Sequence, residues 1–310
     1  MTDNETSALT VAVTGSTGLI GARLVERLRA AGHTVRRLVR RPGRGPDEFQ
    51  WDPAAGMIPG EALAGADAVV HLAGESIDGR FTADHKAEVL RSRLESTGTL
   101  VPALLGAGVP TLVQASAIGY YGPRRGDSWL TEDLPPGDGF LADVVDHWER
   151  AAAPAVEGGA RVVFLRTGIV LSRRGGALAA QLPLFRLGLG GRLTHADAWL
   201  SWIALEDLVR AYVHALTTPT LSGPVNAVAP APATQQEFAR TVGRVARRPA
   251  WLPTPSFGPK LLLGEEGYEE LIDTDQRVSA DRLVESGFAF HFPTLESALH
   301  HELRGEPRRP

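Results

Sequence analysis

The apolar positions along the chain alternate between short continuous runs and helical stripes. Residues 9–13 form a largely apolar run, and a turn rich in glycine follows. Leu19, Ile20, Leu24, Val25 and Leu28 then fall on one helical face, ended by Gly32. Residues 34–39 read as a second strand, and residues 67–74 (Asp67-Ala-Val-Val-His-Leu-Ala-Gly74) as a strand buried on both faces. A long amphipathic helix carries Val89, Leu90, Leu94, Leu100, Leu104 and Leu105. Residues 110–117 and 161–170 are further apolar strands, separated by a helix over 140–153. Residues 43–60 and 124–139 read as loops. Strands alternating with helices imply an α/β, Rossmann-like doubly wound parallel sheet.

After Leu171 the texture changes. Residues 175–192 are rich in Gly and Leu, Trp199, Trp202 and Ile203 follow, and a helix is predicted over 206–216. Residues 224–228 read as a short strand. Thr234, with Glu237 three residues on, predicts a capped helix over 234–245. Residues 249–259 are proline-rich, residues 261–263 form a short apolar stretch, and a last helix is expected over 295–303. The expected organisation is a dinucleotide-binding domain over 9–171 plus about 204–229, and a smaller α/β substrate domain over about 172–203 plus 230–304. Residues 1–8 and 305–310 are expected to be disordered.

The turn that opens the chain is its sharpest chemical signal. Gly15, Gly18 and Gly21 stand in the spacing G-x-x-G-x-x-G between a strand and a helix. Gly15 permits the tight turn, Gly18 lets backbone approach a pyrophosphate, and Gly21 lets the helix pack on the strand. A helix start offers free N–H groups and partial positive charge to phosphate. Residues Gly15, Ser16, Thr17, Gly18, Leu19, Ile20 and Gly21 are therefore predicted to hold a dinucleotide, with Leu72, Ala73 and Gly74 beside it. Asp67 is expected to orient loops near the adenine. An NAD-selective fold carries an acid about 20 residues past the glycines. Here Arg40 and Arg41 occupy that place, and the first acid beyond is Asp47, so NADP(H) is the expected cofactor.

Composition narrows the rest. The 310 residues are 43% hydrophobic and 22% charged, with a net charge of −4, so no global field favours nucleic acid or a membrane surface. The chain has no cysteine, which excludes disulfides and thiolate chemistry. Its nine histidines form no short metal-ligand spacing, so no metal site is predicted; His300 and His301 read as solvated surface. No apolar run approaches the ~18 residues of a bilayer span. The polar, acidic first eight residues are unlike a secretory signal, so a cytoplasmic location is expected. The oligomeric state is left open.

These residues resemble the extended, atypical branch of the short-chain dehydrogenase/reductase superfamily, in its nucleoside-diphosphate-sugar epimerase-like (NAD-dependent epimerase/dehydratase) group. The strings that carry the resemblance are Val13-Thr-Gly-Ser-Thr-Gly-Leu-Ile-Gly21, Asp67 to Ile77, Ser116-Ala-Ile-Gly-Tyr-Tyr-Gly122, Trp148-Glu149, Leu165-Arg-Thr-Gly-Ile-Val-Leu171, Phe185 to Gly191, Ser201-Trp-Ile203 and Gln276-Arg-Val278. The resemblance implies a substrate cleft between the two domains, Ser116 hydrogen-bonding a substrate oxygen, and Ser116 and Thr167 beside the cofactor. It also exposes a departure. The superfamily's proton chemistry uses Tyr-x-x-x-Lys, whose lysine lowers a phenol pKa from about 10. Lys86 and Lys260 are the only lysines, and neither has tyrosine four positions before it. The expected region reads Phe140-Leu-Ala-Asp-Val-Val145.

Two readings follow. In one, the chain is an oxidoreductase on a small carbonyl or sugar-like substrate, with Tyr120 or Tyr121 as replacement acid and Lys86 or Arg80 lowering its pKa. Arg80, Lys86, Arg186 and Arg192 would then bind an anionic substrate group, and His195 and Asp197 are polar additions to the same segment. In the other, the chain binds NADP(H) without hydride chemistry and acts as a regulator. Asn226 and Thr234 read as structural.

Overall fold

A computed structural model describes residues 8–250, 253–255 and 257–305 of the chain. The first strand, β1 (Thr10–Thr14), is buried over its last four residues. It feeds α1 (Leu19–Ala30), which buries Gly21, Leu24, Val25 and Leu28 against the sheet. Next come β2 (Thr34–Val39), β3 (Glu48–Gln50), a short α2 (Gly60–Leu63) and β4 (Ala68–His71), whose four residues are all buried. The long α3 (Ala83–Gly106) precedes β5 (Thr111–Ala117) and a single 3₁₀ turn over Ile118–Tyr121. After these lie β6 (Arg124–Leu130), α4 (Phe140–Ala151), α5 (Ala153–Glu157), β7 (Arg161–Thr167) and β8 (Ile169–Leu171).

The later elements are α6 (Gly176–Arg186), β9 (Trp199–Leu200), β10 (Trp202–Ala204), α7 (Leu205–Thr217), β11 (Gly223–Ala227), β12 (Ala233–Thr234) and α8 (Gln235–Ala246). The chain ends with α9 (Phe257–Leu271), β13 (Asp275–Val278), α10 (Asp281–Glu285) and α11 (Leu295–Arg304). Among the described residues no helix is long and apolar enough to cross a membrane.

Seven strands form one parallel sheet in the order β11-β7-β5-β4-β1-β2-β3. The α/β, doubly wound sheet read from the apolar runs is therefore present. The order reverses around β1, which lies between β4 and β2, so the crevice outside the carboxyl ends of β1 and β4 is the switch point where such sheets bind ligands. Helix α7 and strand β11 return from far along the chain to this sheet, and Leu208, Val209, Tyr212 and Val225 share its core with Val11 and Val70. A separate apolar cluster joins Leu178, Phe185 and Trp202 to Phe238, Val242 and Leu299.

Several expected loops carry regular structure. Residues 124–130 are strand β6, paired in parallel with β13 from about 150 positions away. Only Leu130 of β6 is buried, so its polar sequence shows no strand alternation, and its partner is remote. Residues 48–50 form the edge strand β3 beside β2. The apolar stretch 261–263 lies inside α9, with Leu261 and Leu262 exposed. The predicted cap of α8 is present: Thr234 and Glu237 make the reciprocal capping box. Of the ends expected to be disordered, residues 1–7 and 306–310 lie outside the described residues. Gly305 closes α11 in a left-handed conformation, φ +66°. His301 is not solvated surface: it stacks on Phe292 with ring centroids 4.5 Å apart.

Candidate cofactor and active site

The glycine turn sits at the switch point, and steric limits set its sequence. Gly15 adopts φ +63°, and a Cβ there would stand 2.6 Å from the Leu72 carbonyl oxygen, which packs β4 against the turn. A Cβ on Gly21 would stand 2.2 Å from the Gly15 oxygen, so only glycine lets α1 start this close. Gly18 is the N-cap residue and supplies no capping side chain, and the first turn of α1 holds no acid. Its N–H groups are thus available to an anion.

A buried histidine ties this turn to β4. Thr14 Oγ1 accepts the Leu72 and Ala73 N–H groups at 3.0 and 3.2 Å and lies 2.7 Å from His71 Nδ1. With two donors already at Thr14 Oγ1, its own hydrogen is left for Nδ1, which puts the imidazole proton on Nε2, 3.2 Å from Thr97 Oγ1. Burial, and then the charge of Arg93, hold the imidazole neutral, its pKa lowered to about 3.

Of the other predicted cofactor residues, Leu72, Ala73 and Gly74 follow β4 at the turn. Thr167 ends β7 and donates to the Leu165 oxygen at 3.1 Å. Asp67 lies elsewhere: its carboxylate accepts the Thr10 N–H at 2.7 Å, at the amino end of β1, opposite the end at which the turn lies. It anchors the start of the sheet rather than a loop near an adenine.

Arg40 is exposed and has no partner among the described residues. Arg41 is committed: both ends of its fork donate to Glu48, at 2.7 and 2.8 Å. Those bonds, with the Arg44 N–H, hold the Glu48 carboxyl down at about 2. Asp47, the first acid past the arginines, pairs with Arg29.

The three predicted catalytic hydroxyls occur in one region but in different states. Ser116 Oγ is buried and donates to Glu149 Oε1 at 2.5 Å. Glu149 also accepts Arg166 Nε and Nη2 at 2.9 and 2.8 Å. Arg166 Nη1 reaches the Tyr121 hydroxyl at 3.2 Å, which itself donates to Asn226 Oδ1 at 2.7 Å. The Asn226 N–H donates to Glu132. Burial raises the Tyr121 pKa to about 12, outweighing the nearby guanidinium. Tyr120 is 8% exposed, and the Arg166 guanidinium stacks 3.5 Å from its ring centroid. Its hydroxyl makes no hydrogen bond among the described residues.

Residue composition did not single out Glu149, Arg166 and Glu132. A signal existed: an arginine inside the apolar strand Arg161–Thr167 must have a buried partner.

The predicted substrate cations are dispersed. Lys86 pairs with Glu266 at 2.8 Å and lies over the Phe140 ring, so the cation beside the phenols is Arg166. Arg80 is exposed next to Gly264 in α9. Arg186 lines a groove of ≈ 450 Å³ with Arg247 and Arg304. Arg192 and His195 line another, of ≈ 480 Å³, with Tyr268 and Asp273. Asp197 is exposed outside it. Helix α9 closes over the region expected to hold Tyr-x-x-x-Lys: Glu270 accepts the Phe140 and Leu141 N–H groups at 3.1 and 3.2 Å.

This turn and sheet order define a Rossmann-like, doubly wound α/β protein. The profile of the NAD dependent epimerase/dehydratase family matches residues 11–228, and a domain of unknown function (DUF1731) matches residues 254–302. The chain belongs to the NAD dependent epimerase/dehydratase family. It is 45% identical to the epimerase family protein Mb2239 of Mycobacterium bovis, over 93% of this chain and 96% of the relative. It is 37% identical to the epimerase family protein SDR39U1 of Homo sapiens, over 93% and 98%. The crystal structure of human SDR39U1 (isoform 2) with NADPH superposes with a TM-score of 0.87, at 35% identity, over 96% of this chain and all of that one (100%). Thermus thermophilus UDP-glucose 4-epimerase with NAD, at 21% identity and a TM-score of 0.72, shares the fold.

Proposed function

We propose that the chain is an NADP(H)-dependent oxidoreductase acting on a small carbonyl or sugar-like substrate that carries an anionic group. The observation that carries the cofactor reading is the uncapped, acid-free start of α1 behind a turn in which Gly15 and Gly21 leave no room for a side chain, with Arg40, just past β2, without a partner among the described residues. These residues fit a dinucleotide carrying a 2′-phosphate: α1 would take the pyrophosphate and Arg40 the added phosphate. The human relative solved with NADPH supports the same reading. When bound, the cofactor would supply or accept hydride.

The chain's own residues then have to manage a proton without Tyr-x-x-x-Lys. Ser116 and Tyr121 spend their hydroxyl hydrogens inside the molecule. Tyr120 has its phenol hydrogen uncommitted and stands over Arg166, so it is the proposed proton donor. Arg80, Arg186 and Arg192 are the candidates for an anionic substrate group. The commitment of Ser116 and Tyr121 favours a second reading, an NADP(H)-responsive binding or regulatory protein.

One experiment separates them. NADPH is incubated with the protein and a panel of small carbonyl compounds, and the loss of nicotinamide absorbance is followed. Turnover abolished by Tyr120→Phe supports the first reading. Turnover that survives the combined Ser116→Ala, Tyr120→Phe and Tyr121→Phe variant sinks the catalytic assignments. Tight NADPH binding without turnover supports the second.

A further inference from the structure

The two arginines that follow β2 have different states, and a third arginine shares their anchor. Glu48 holds Arg41 by both ends of its fork, and Arg41 Nη1 also donates to the Pro42 oxygen at 2.9 Å. A guanidinium paired in this way has its charge and its planar donors already matched. The second guanidinium on Glu48 is that of Arg37: its Nη1 lies 2.9 Å from Glu48 Oε1, and its Nε donates to Ser16 Oγ at 3.3 Å. Ser16 is a buried residue of the glycine turn, so Arg37 is the cation that touches the turn itself. It is held by Ser16 and by Glu48, with the Asp47 carboxylate 3.9 Å from the same Nη1, and its side chain is 20% exposed. A cation fixed in place pays little entropy on meeting a ligand.

We propose that the 2′-phosphate of NADP(H) is read by Arg40 together with Arg37, that Glu48 positions Arg37, and that Arg41 is a brace. The proposal rests on the NADP(H) reading above. It reverses the expectation that adjacent Arg40 and Arg41 form the clamp, and it makes an acid a contributor to the recognition of an anion. Glu48 does so because its charge is met by two guanidiniums and the Arg44 N–H (2.8 Å); with Asp47 paired to Arg29 and Arg37, the four arginines Arg29, Arg37, Arg40 and Arg41 still outweigh the two carboxylates.

The test is calorimetric titration of NADPH and, separately, NADH into the full chain and into the variants Arg37→Met, Arg40→Ala, Arg41→Met and Glu48→Gln. Arg37→Met and Arg40→Ala are each expected to weaken NADPH by about tenfold or more and NADH by less than about twofold. Arg41→Met should change both by less than about threefold. Glu48→Gln should lower the preference for NADPH by about threefold or more, although it removes a negative charge. If Glu48 acted only by repelling phosphate, that variant would tighten NADPH instead, and the positioning role would be lost. Should Arg37→Met fail to fold by circular dichroism, Arg37→Lys keeps a cation without the fork; a loss of about threefold or more confined to NADPH supports the proposal, and an unchanged preference overturns it. Parent protein that prefers NADPH while Arg37→Met keeps that preference refutes this assignment alone. Parent protein that binds both cofactors equally refutes the NADP(H) reading and this assignment with it.

Discussion

Replacing Arg166 by methionine tests the buried network most directly. Arg166 makes two hydrogen bonds to Glu149, at 2.9 and 2.8 Å, and the two side chains are 3% and 12% exposed. Methionine preserves much of the aliphatic volume and removes the charge. Glu149 then keeps only the Ser116 hydroxyl as donor, and the Tyr121 oxygen loses a donor as well. Removing one partner of a buried pair costs about 3–5 kcal/mol, because the other charge stays buried without compensation. Losing the stacking on Tyr120 adds about 1 kcal/mol. Urea unfolding should therefore lose about 4 kcal/mol or more. The pairwise part is isolated by a cycle with Glu149→Leu: the double variant should recover about 2–3 kcal/mol relative to the sum of the single losses. A coupling below about 1 kcal/mol would show that water already screens the pair, and the large cost assigned to breaking it would be refuted.

Other outcomes follow from the same geometry. Gly21→Ala places a Cβ 2.2 Å from the Gly15 oxygen and should cost at least about 3 kcal/mol in denaturant unfolding, with loss of NADPH binding; a near-parental variant would contradict the close approach. Arg40→Ala should weaken NADPH by roughly 1.5–3 kcal/mol in calorimetry and leave NADH nearly unchanged. Tyr121→Phe strands Asn226 and one Arg166 donor, and should lower stability by about 1–3 kcal/mol.

The pH dependence has a defined sign. The unfolded chain protonates His71 below an ordinary 6.5, whereas the folded protein resists until about 3. Stability is thus lost as pH falls through that window, by up to roughly 1.4 kcal/mol per pH unit. A His71→Asn variant should show a correspondingly shallower acid slope of unfolding free energy; identical slopes would refute the buried neutral imidazole.

What could be read in advance depended on how far apart the interacting residues lie. Residues 9–39 carry their own evidence: the apolar run, the glycines and the stripe on α1 are local, and their spacing follows from backbone sterics. The same holds for the capping box at Thr234, which closes within one helical turn. Strand β6 was illegible because its polar face looks outward and its partner comes from residues 275–278. The distribution of Arg80, Lys86, Arg186 and Arg192 over separate surfaces is likewise a property of packing, since charge alone carries no address.

The sequence by itself determined that a parallel α/β sheet presents a tight glycine turn, that arginine stands where an acid would select NAD, and that no Tyr-x-x-x-Lys exists. These are matters of local backbone geometry and of which side chains are present. Only the tertiary structure decided which groups are still free to act. It spends Arg41 on Glu48, Ser116 on Glu149, Tyr121 on Asn226 and Lys86 on Glu266, and leaves Arg40 and the Tyr120 hydroxyl without partners among the described residues. The physical reason is that a hydrogen bond or ion pair between distant residues consumes donors and charge, and that commitment is settled only when the chain packs.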